Sequence, residues 1–381
     1  MAQVLINTLF VRLPASYLLG IALVIILISL FKIVSRKTNG SSSSANIGLF
    51  DIDGGQEIEP LKNFEWSKTE PVKQRPFKPI WHMTMGLQDV PPSEYIQIDK
   101  DYLERIRMRQ RIIEDYSDTV IAFNDAAQPA IREFYTWLMT KYLPSRFPTM
   151  FILLHSEQKD GKSCPKLQNT VTGAIHPTQP PQDLRQALSI LGEMVEEDFM
   201  FLVPSGQGDS TTFSLQGVVA CFPSSWSPKE KCGMSLRDIH APVPRYKEKM
   251  AMSLDRVLSK LKKPGKIYMR QNWAVTTSNN LFAPGGQFHL YEDNQVEEET
   301  VEISTTCVRS ERQSFRFLPE SKTIVFSFHS YQYPLSQIKE EGLGEVLAEA
   351  IDGLKKGSVP EIHYYKRAPI WAEQVKSYLR S

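Results

Sequence analysis

The stretch from Phe213 to Trp273 restricts the fold more than any other part of the chain. Phe-Ser-Leu-Gln-Gly-Val-Val-Ala-Cys-Phe (213–222) is an apolar run of strand length, stopped by Pro223. Tyr246, Met250, Leu254, Val257, Leu258 and Leu261 then recur at intervals of three and four. This predicts an amphipathic helix over 244–261, closed by Pro264-Gly265. Ile267 to Thr277 reads as a strand in which Arg270 and Asn272 alternate with Met269, Gln271 and Trp273. Between the first strand and the helix stands Ile-His-Ala-Pro-Val-Pro (239–244), where Pro242 and Pro244 restrict the backbone after His240. That histidine is either a hydrogen-bonded core residue or a metal ligand, and its local sequence leaves both open.

The surrounding segments fill in an α+β pattern. Asp99 has the position of an N-cap for a helix reaching Tyr116, whose other face carries Arg105, Arg107, Arg109 and Arg111 and reads as solvated. A second helix is predicted over 126–142 and a third over 182–194, with 156–181 a surface loop between them. Phe199 to Val203 and the 213–222 strand are joined by a short Gly-bearing loop, which suggests a hairpin. The last strands are expected over 302–317 and 323–328, followed by helices over 335–355 and 369–379. Helices first, then an antiparallel sheet with one long helix inserted, then helices again, is α+β rather than βαβ.

The N-terminus carries a different signal. Leu13 to Phe31 is a run of 19 residues without a charge. As a helix it would cover roughly 28 Å, close to the hydrocarbon thickness of a bilayer. A cleaved signal peptide should be shorter and end in a small-x-small site, whereas this run ends in Phe-Lys-Ile-Val-Ser-Arg-Lys (31–37). The expectation is a transmembrane anchor over 13–34 behind a 1–12 tail. A linker (35–76), a domain (77–334) and C-terminal helices (335–381) would follow. Lys32, Arg36 and Lys37 after the run place the bulk of a single-pass protein in the cytosol, on an endomembrane such as the endoplasmic reticulum. Four cysteines without metal-finger or disulfide-scaffold spacing agree with a reducing compartment. Lysine and arginine (44) against aspartate and glutamate (43) leave no basic excess, which argues against a nucleic-acid partner.

Few residues suggest chemistry by themselves. No pair of the seven histidines stands at i, i+4 and there is no His-Glu-x-x-His, so a zinc-protease site is unsupported. Glu311, flanked by Arg309, Arg312 and Gln313 in a strand, is either a structural ion pair or a functional carboxylate. Cys221 before Phe-Pro could be a thiolate haem ligand, but without a basic neighbour in sequence a buried thiol is the better reading.

Five segments in order carry a resemblance: Cys-Phe-Pro-Ser-Ser-Trp (221–226), Lys-Cys-Gly (231–233), Ile-His-Ala-Pro-Val-Pro (239–244), Arg-Gln-Asn-Trp (270–273) and Arg-Ser-Glu-Arg-Gln-Ser-Phe-Arg-Phe-Leu-Pro (309–319). Through these the chain resembles the haem-dependent oxidative N-demethylase family and its fungal membrane-tethered branch. The resemblance implies a PAS-like antiparallel sheet with flanking helices that holds haem b. It also implies oxygen-dependent removal of an N-methyl group from a secondary amine or N-methylated metabolite, with formaldehyde released. Amine and dioxygen would be the small-molecule partners, and an electron-transfer or formaldehyde-accepting partner is left open. By motif match His240 would be the axial iron ligand, and Arg270, Asn272 and Trp273 would border the cofactor. Glu311 and Asp99 (or, for the second carboxylate, Asp101) would hold the amine. A haem- or ligand-binding sensor without turnover, and an interaction protein that has lost haem, are the other readings. The N-terminal run, the 156–181 segment and Ser310 depart from the bacterial members, so the substrate is left open.

Overall fold

The computed structural model describes residues 54–155, 165–206, 211–286, 288–290 and 300–381. The apolar run over 13–34, and with it the expected membrane anchor, lies outside the described residues. Among those residues no helix is long and apolar enough to cross a membrane.

The architecture is α+β. Strand β1 (Gln88–Val90) precedes helix α1 (Tyr102–Val120), β2 (Ile121–Phe123) and α2 (Gln128–Trp137). A small sheet of β3 (Phe151–Leu154), β4 (Lys166–Asn169) and β5 (Ile175–Pro177) follows, then α3 (Leu184–Met194). The hairpin β6 (Asp198–Ser205) and β7 (Thr212–Val219) leads, after a single helical turn over Pro228–Lys231, into α4 (Leu236–Ile239), α5 (Tyr246–Lys249) and α6 (Ala251–Lys260). Three long strands come next, β8 (Ile267–Thr276), β9 (Cys307–Phe317) and β10 (Ile324–Pro334), and the chain ends in α7 (Gly344–Gly353) and α8 (Ala368–Arg380). The main sheet has seven antiparallel strands in the order β1-β8-β9-β10-β6-β7-β2. The central strand β10 pairs with both β9 and β6. Its Ile-Val-Phe-Ser-Phe run is also buried on both faces, Val325 in one core and Ile324 and Phe328 in another, which explains its lack of apolar-polar alternation.

Helices cover both faces. One core gathers α1, α2 and α3 against Phe199, Phe201 and Val325. A second, on the other face, gathers Leu236, Tyr246, Met250, Ala251 and Leu254 against Phe315 and Phe328. A third packs α7 and α8 on Trp273, Val308, Tyr331 and Tyr333.

Several expectations change. The 156–181 segment is not all loop: Lys166–Asn169 pairs with Phe151–Leu154 and Gln168 with Ile175. Asn169 makes the turn by accepting the amides of Val171 and Thr172 on its side-chain oxygen. β9 starts at Cys307, because Thr305 and Thr306 bond back to the carbonyl of Glu302 and hold 302–306 in a turn. The 244–261 helix breaks at Met250 (φ −128°, ψ −33°). That kink lets Tyr246 reach His240 while Ala251 and Leu254 still bury against the sheet. Asp99 sits one turn before α1 and accepts the amide of Asp101 at 3.0 Å.

The arginine face of α1 is not uniformly solvated. Arg107 and Arg111 are exposed, but Arg109 is fully buried. It follows Ile106 by three positions and so shares the apolar stripe. Its guanidinium meets Asp198 at 2.6 Å and donates to the carbonyls of Gly192, Glu196 and Glu197. Gly192 lets α3 pack closely on α1 and β7, since a Cβ there would lie 2.8 Å from Val219 and 2.9 Å from Ile113. Removing one partner of such a pair leaves a buried charge uncompensated. Arg109→Met should therefore lose about 3–5 kcal/mol of stability, read as a fall in the urea midpoint. A loss under about 1 kcal/mol would show the pair is dispensable.

Candidate functional site

Register fixes which side chains share a face of the sheet. Asn272 pairs with Glu311 and Arg270 with Gln313, while Ser330 pairs with Glu311 and Phe328 with Gln313. Directly opposed residues in antiparallel strands project to the same side. Arg270, Asn272, Glu311, Gln313 and Ser330 thus form one polar patch, continuous with Phe315, Phe326 and Phe328. The same face carries the α4–α6 segment. Gln313 donates to Glu311 Oε2 at 2.8 Å and so orients the carboxylate.

His240 caps the C-terminus of α4. Ser235 starts that helix by accepting the amide of Asp238, and the Val243 amide bonds back to the His240 carbonyl at 2.9 Å. The imidazole stacks on Tyr246 with centroids 4.8 Å apart. Its Nδ1 lies 2.7 Å from the Leu236 carbonyl oxygen. A carbonyl can only accept, so Nδ1 carries the proton and Nε2 keeps its lone pair. Burial lowers the pKa below its usual value; the Leu236 carbonyl opposes the shift, and the charges of Arg270 and Lys231 reinforce it. A neutral imidazole with a fixed Nδ1–H and a free Nε2 is the form that ligates a metal.

Cations outnumber carboxylates around the patch. Arg309 donates to the carbonyls of Phe222 and Leu281, and the Nε of Arg270 is buried without a hydrogen-bond partner. Lys366 enters from the turn before α8, beyond the end of β1. It is buried, donates to the Trp273 carbonyl and lies 5.3 Å from the Trp273 ring centroid. Burial pushes its pKa down to about 8; Glu311 opposes the shift and Arg270 adds to it. His289 stacks on Tyr365 at 4.4 Å, and burial, helped by Lys366, Arg309 and Arg367, pushes it down to about 4.

The predicted residues therefore separate. His240, Arg270, Asn272 and Glu311 belong to one face. The side chain of Trp273 points to the other, packing edge-on against Phe77 at 5.5 Å, and offers this site only its carbonyl. Asp99 also lies across the sheet from Glu311, in a pocket with Glu196, His329 and Tyr331, and His329 pairs with Arg312, one position out of phase with Glu311. The structure thus does not bring Asp99 and Glu311 together. Cys221 is a fully buried thiol whose pKa burial drives up to about 12 against the pull of Arg109. Lys366 and His289 had no local sequence signal; each joins the site only through tertiary packing.

This is an α+β protein whose sheet carries a cationic polar patch and an apolar floor beneath a segment that presents a neutral imidazole. That is the donor set of a site for an imidazole-ligated, anionic prosthetic group. The chain belongs to the HODM_asu-like family, described as haem-dependent oxidative N-demethylase, alpha subunit-like, whose model matches residues 86–376. The residues fit a haem. Nε2 of His240 is free for iron, unpartnered Arg270 Nε and the buried Lys366 suit propionates, and the phenylalanines suit the macrocycle.

The folded-state pKa of Lys366 lies below the ordinary 10.5. Burying its charged form therefore costs stability in full below about pH 8, and the cost fades as pH rises toward 10.5. In the apoprotein, Lys366→Met should be more stable than wild type at pH 7 by about 1–3 kcal/mol, with a gap that narrows above pH 8. Guanidinium unfolding at several pH values checks this; a gap independent of pH would mean the lysine carries no buried charge.

Proposed function

We propose that the chain binds haem b between the β8–β10 face and the α4–α6 segment and oxidatively demethylates a small N-methylated secondary amine, releasing formaldehyde. The observation that carries this reading is the Nδ1–Leu236 hydrogen bond, which leaves His240 Nε2 as a ready ligand above a patch containing Glu311. The strand order β7-β6-β10-β9-β8, with helices inserted between β7 and β8, supports a PAS-like domain. Because Lys366 reaches the patch, the functional domain extends through the C-terminal helices.

Loss of an N-methyl group as formaldehyde is a two-electron oxidation at carbon, and the haem supplies the oxygen chemistry for it. The chain's residues bind and orient. Glu311, held by Gln313, accepts an N–H of the amine and fixes its nitrogen at the patch; a charged acceptor is needed because a buried ammonium is costly without one. Arg270 and Lys366 would hold the propionates of the bound haem. The apolar floor of Phe315 and Phe328 excludes water from the methyl group.

His240→Ala should abolish or shift the Soret band of the purified protein, and unchanged ligation would remove the axial assignment. Glu311→Gln should keep the band while raising the amine KM at least tenfold, read by formaldehyde release under oxygen; normal turnover would reduce Glu311 to a structural ion pair. An intact Soret band without formaldehyde from any N-methylamine would favour a haem sensor.

A further inference from the structure

The outer surface of α5 and α6 carries a charge pattern that the haem reading does not use. Between Arg245 and Lys266 stand eight lysines and arginines against Glu248 and Asp255 alone, in a chain whose formal net charge is +1. Both carboxylates are already taken, Glu248 by Arg245 at 3.1 Å and Asp255 by Arg237 at 2.8 Å, and Lys266 is held by Asp89 at 2.7 Å. Lys247, Lys249, Arg256, Lys260, Lys262 and Lys263 remain. All six are exposed, and among the described residues none is paired with a carboxylate.

The helix sorts its two faces. Ala251, Leu254 and Leu258 are buried in the core that includes Phe315 and Phe328. Met252, Arg256 and Lys260 follow one another at intervals of four and so share the outward face of α6. Met252 is 70% exposed, more than any other large apolar side chain among the described residues. One exposed methionine is ordinary by itself. Here it stands amid unpaired cations, and that combination suits a bilayer interface. Ammonium and guanidinium groups meet anionic headgroups there, while the thioether reaches the acyl boundary.

An independent observation concerns where the chain enters. Its described part begins at Gly54, whose backbone lies against Pro264: a Cβ on Gly54 would be 2.6 Å from the Pro264 carbonyl oxygen. Pro264 directly follows Lys262 and Lys263. The domain is therefore joined to the uncharged run Leu13–Phe31 at the edge of the cationic surface, and 22 residues separate Phe31 from Gly54. A connection that short gives this surface a high effective concentration at a bilayer that the run enters.

We propose that the α5–α6 surface is a docking face for an anionic phospholipid bilayer, with its cations at the headgroups and Met252 in the interface. Bound in this way, the domain turns the His240-bearing side of its sheet toward the lipid. The assignment does not depend on the haem reading.

Hydroxyl-radical footprinting of the full chain tests it with Met252 as its own reporter, because a covered thioether escapes conversion to the sulfoxide. The chain is reconstituted with vesicles of phosphatidylcholine alone or with phosphatidylserine added, and oxidation is read by peptide mass spectrometry. Tyr116, 49% exposed on α1 across the sheet, is the reference. Phosphatidylserine should lower Met252 oxidation about threefold or more with Tyr116 unchanged, and high salt should restore it. Lys260→Glu combined with Lys263→Glu reverses two exposed, unpaired charges, so it should abolish the protection without lowering Tm. The salt arm uses the unaltered chain and decides the matter if that variant does not fold. Met252 oxidised to the same extent on both kinds of vesicle, or protection that survives high salt or the charge reversal, overturns the proposal. Protection by soluble polyglutamate with none by phosphatidylserine vesicles also overturns it and assigns the face to an acidic protein. The Soret band should be the same in wild type and variant, so failure here is distinct from failure of the haem reading.

Discussion

The buried pair of Arg109 and Asp198 ties the molecule together. Asp198 opens β6, which lies beside the central strand. Its two oxygens accept the amides of Cys221 and Phe222, where the chain leaves β7 for the crossover that carries His240. Arg109 answers from α1 and spends its other donors on the carbonyls just before β6. It also lies over the Phe222 ring at 5.2 Å, while Arg309 holds the Phe222 carbonyl from β9. Two arginines and one aspartate thus fix the point at which the helical segment departs from the sheet. A charge buried this deeply is tolerated only because nearly every donor and acceptor is matched.

From that anchor the sheet acts as a partition. Period-two alternation lets the same strands serve both sides. Glu311 and Gln313 face the histidine-bearing segment, and Arg312 between them turns back to the Tyr95 carbonyl. On β10, Ser330 accompanies Glu311, while His329 and Tyr331 face the acidic pocket. The two sides have opposite electrostatics, cations in excess around Glu311 and carboxylates in excess around His329. One sheet thus separates surroundings of opposite charge by no more than its own thickness.

The C-terminal helices complete the first of these sites. α7 and α8 pack on Trp273, Tyr331 and Tyr333, and the turn before α8 delivers Lys366 to the Trp273 carbonyl beside the patch. A lysine buried there is costly alone and less so beside the Glu311 carboxylate, a neighbour that tertiary packing supplies and local helix preference does not.

The sequence by itself determined the α+β class, the hairpin, the crossover helix and the faces of β8 and β9. These follow from hydrophobic periodicity and strand alternation, which are local properties of the backbone. Five ordered motifs also placed the chain in its family, and they singled out His240 and Glu311. Tertiary structure alone decided the rest. It split α5 from α6 so that Tyr246 could stack on His240, and it buried Arg109 where a solvated face was expected. It separated Asp99 from Glu311, turned the Trp273 side chain away from the Glu311 patch, and brought Lys366 and His289 in from distant segments. The physical reason is that burial and pairing of charges depend on which surfaces meet across the sheet. A carboxylate's neighbours in sequence do not reveal which face it shares, or with whom.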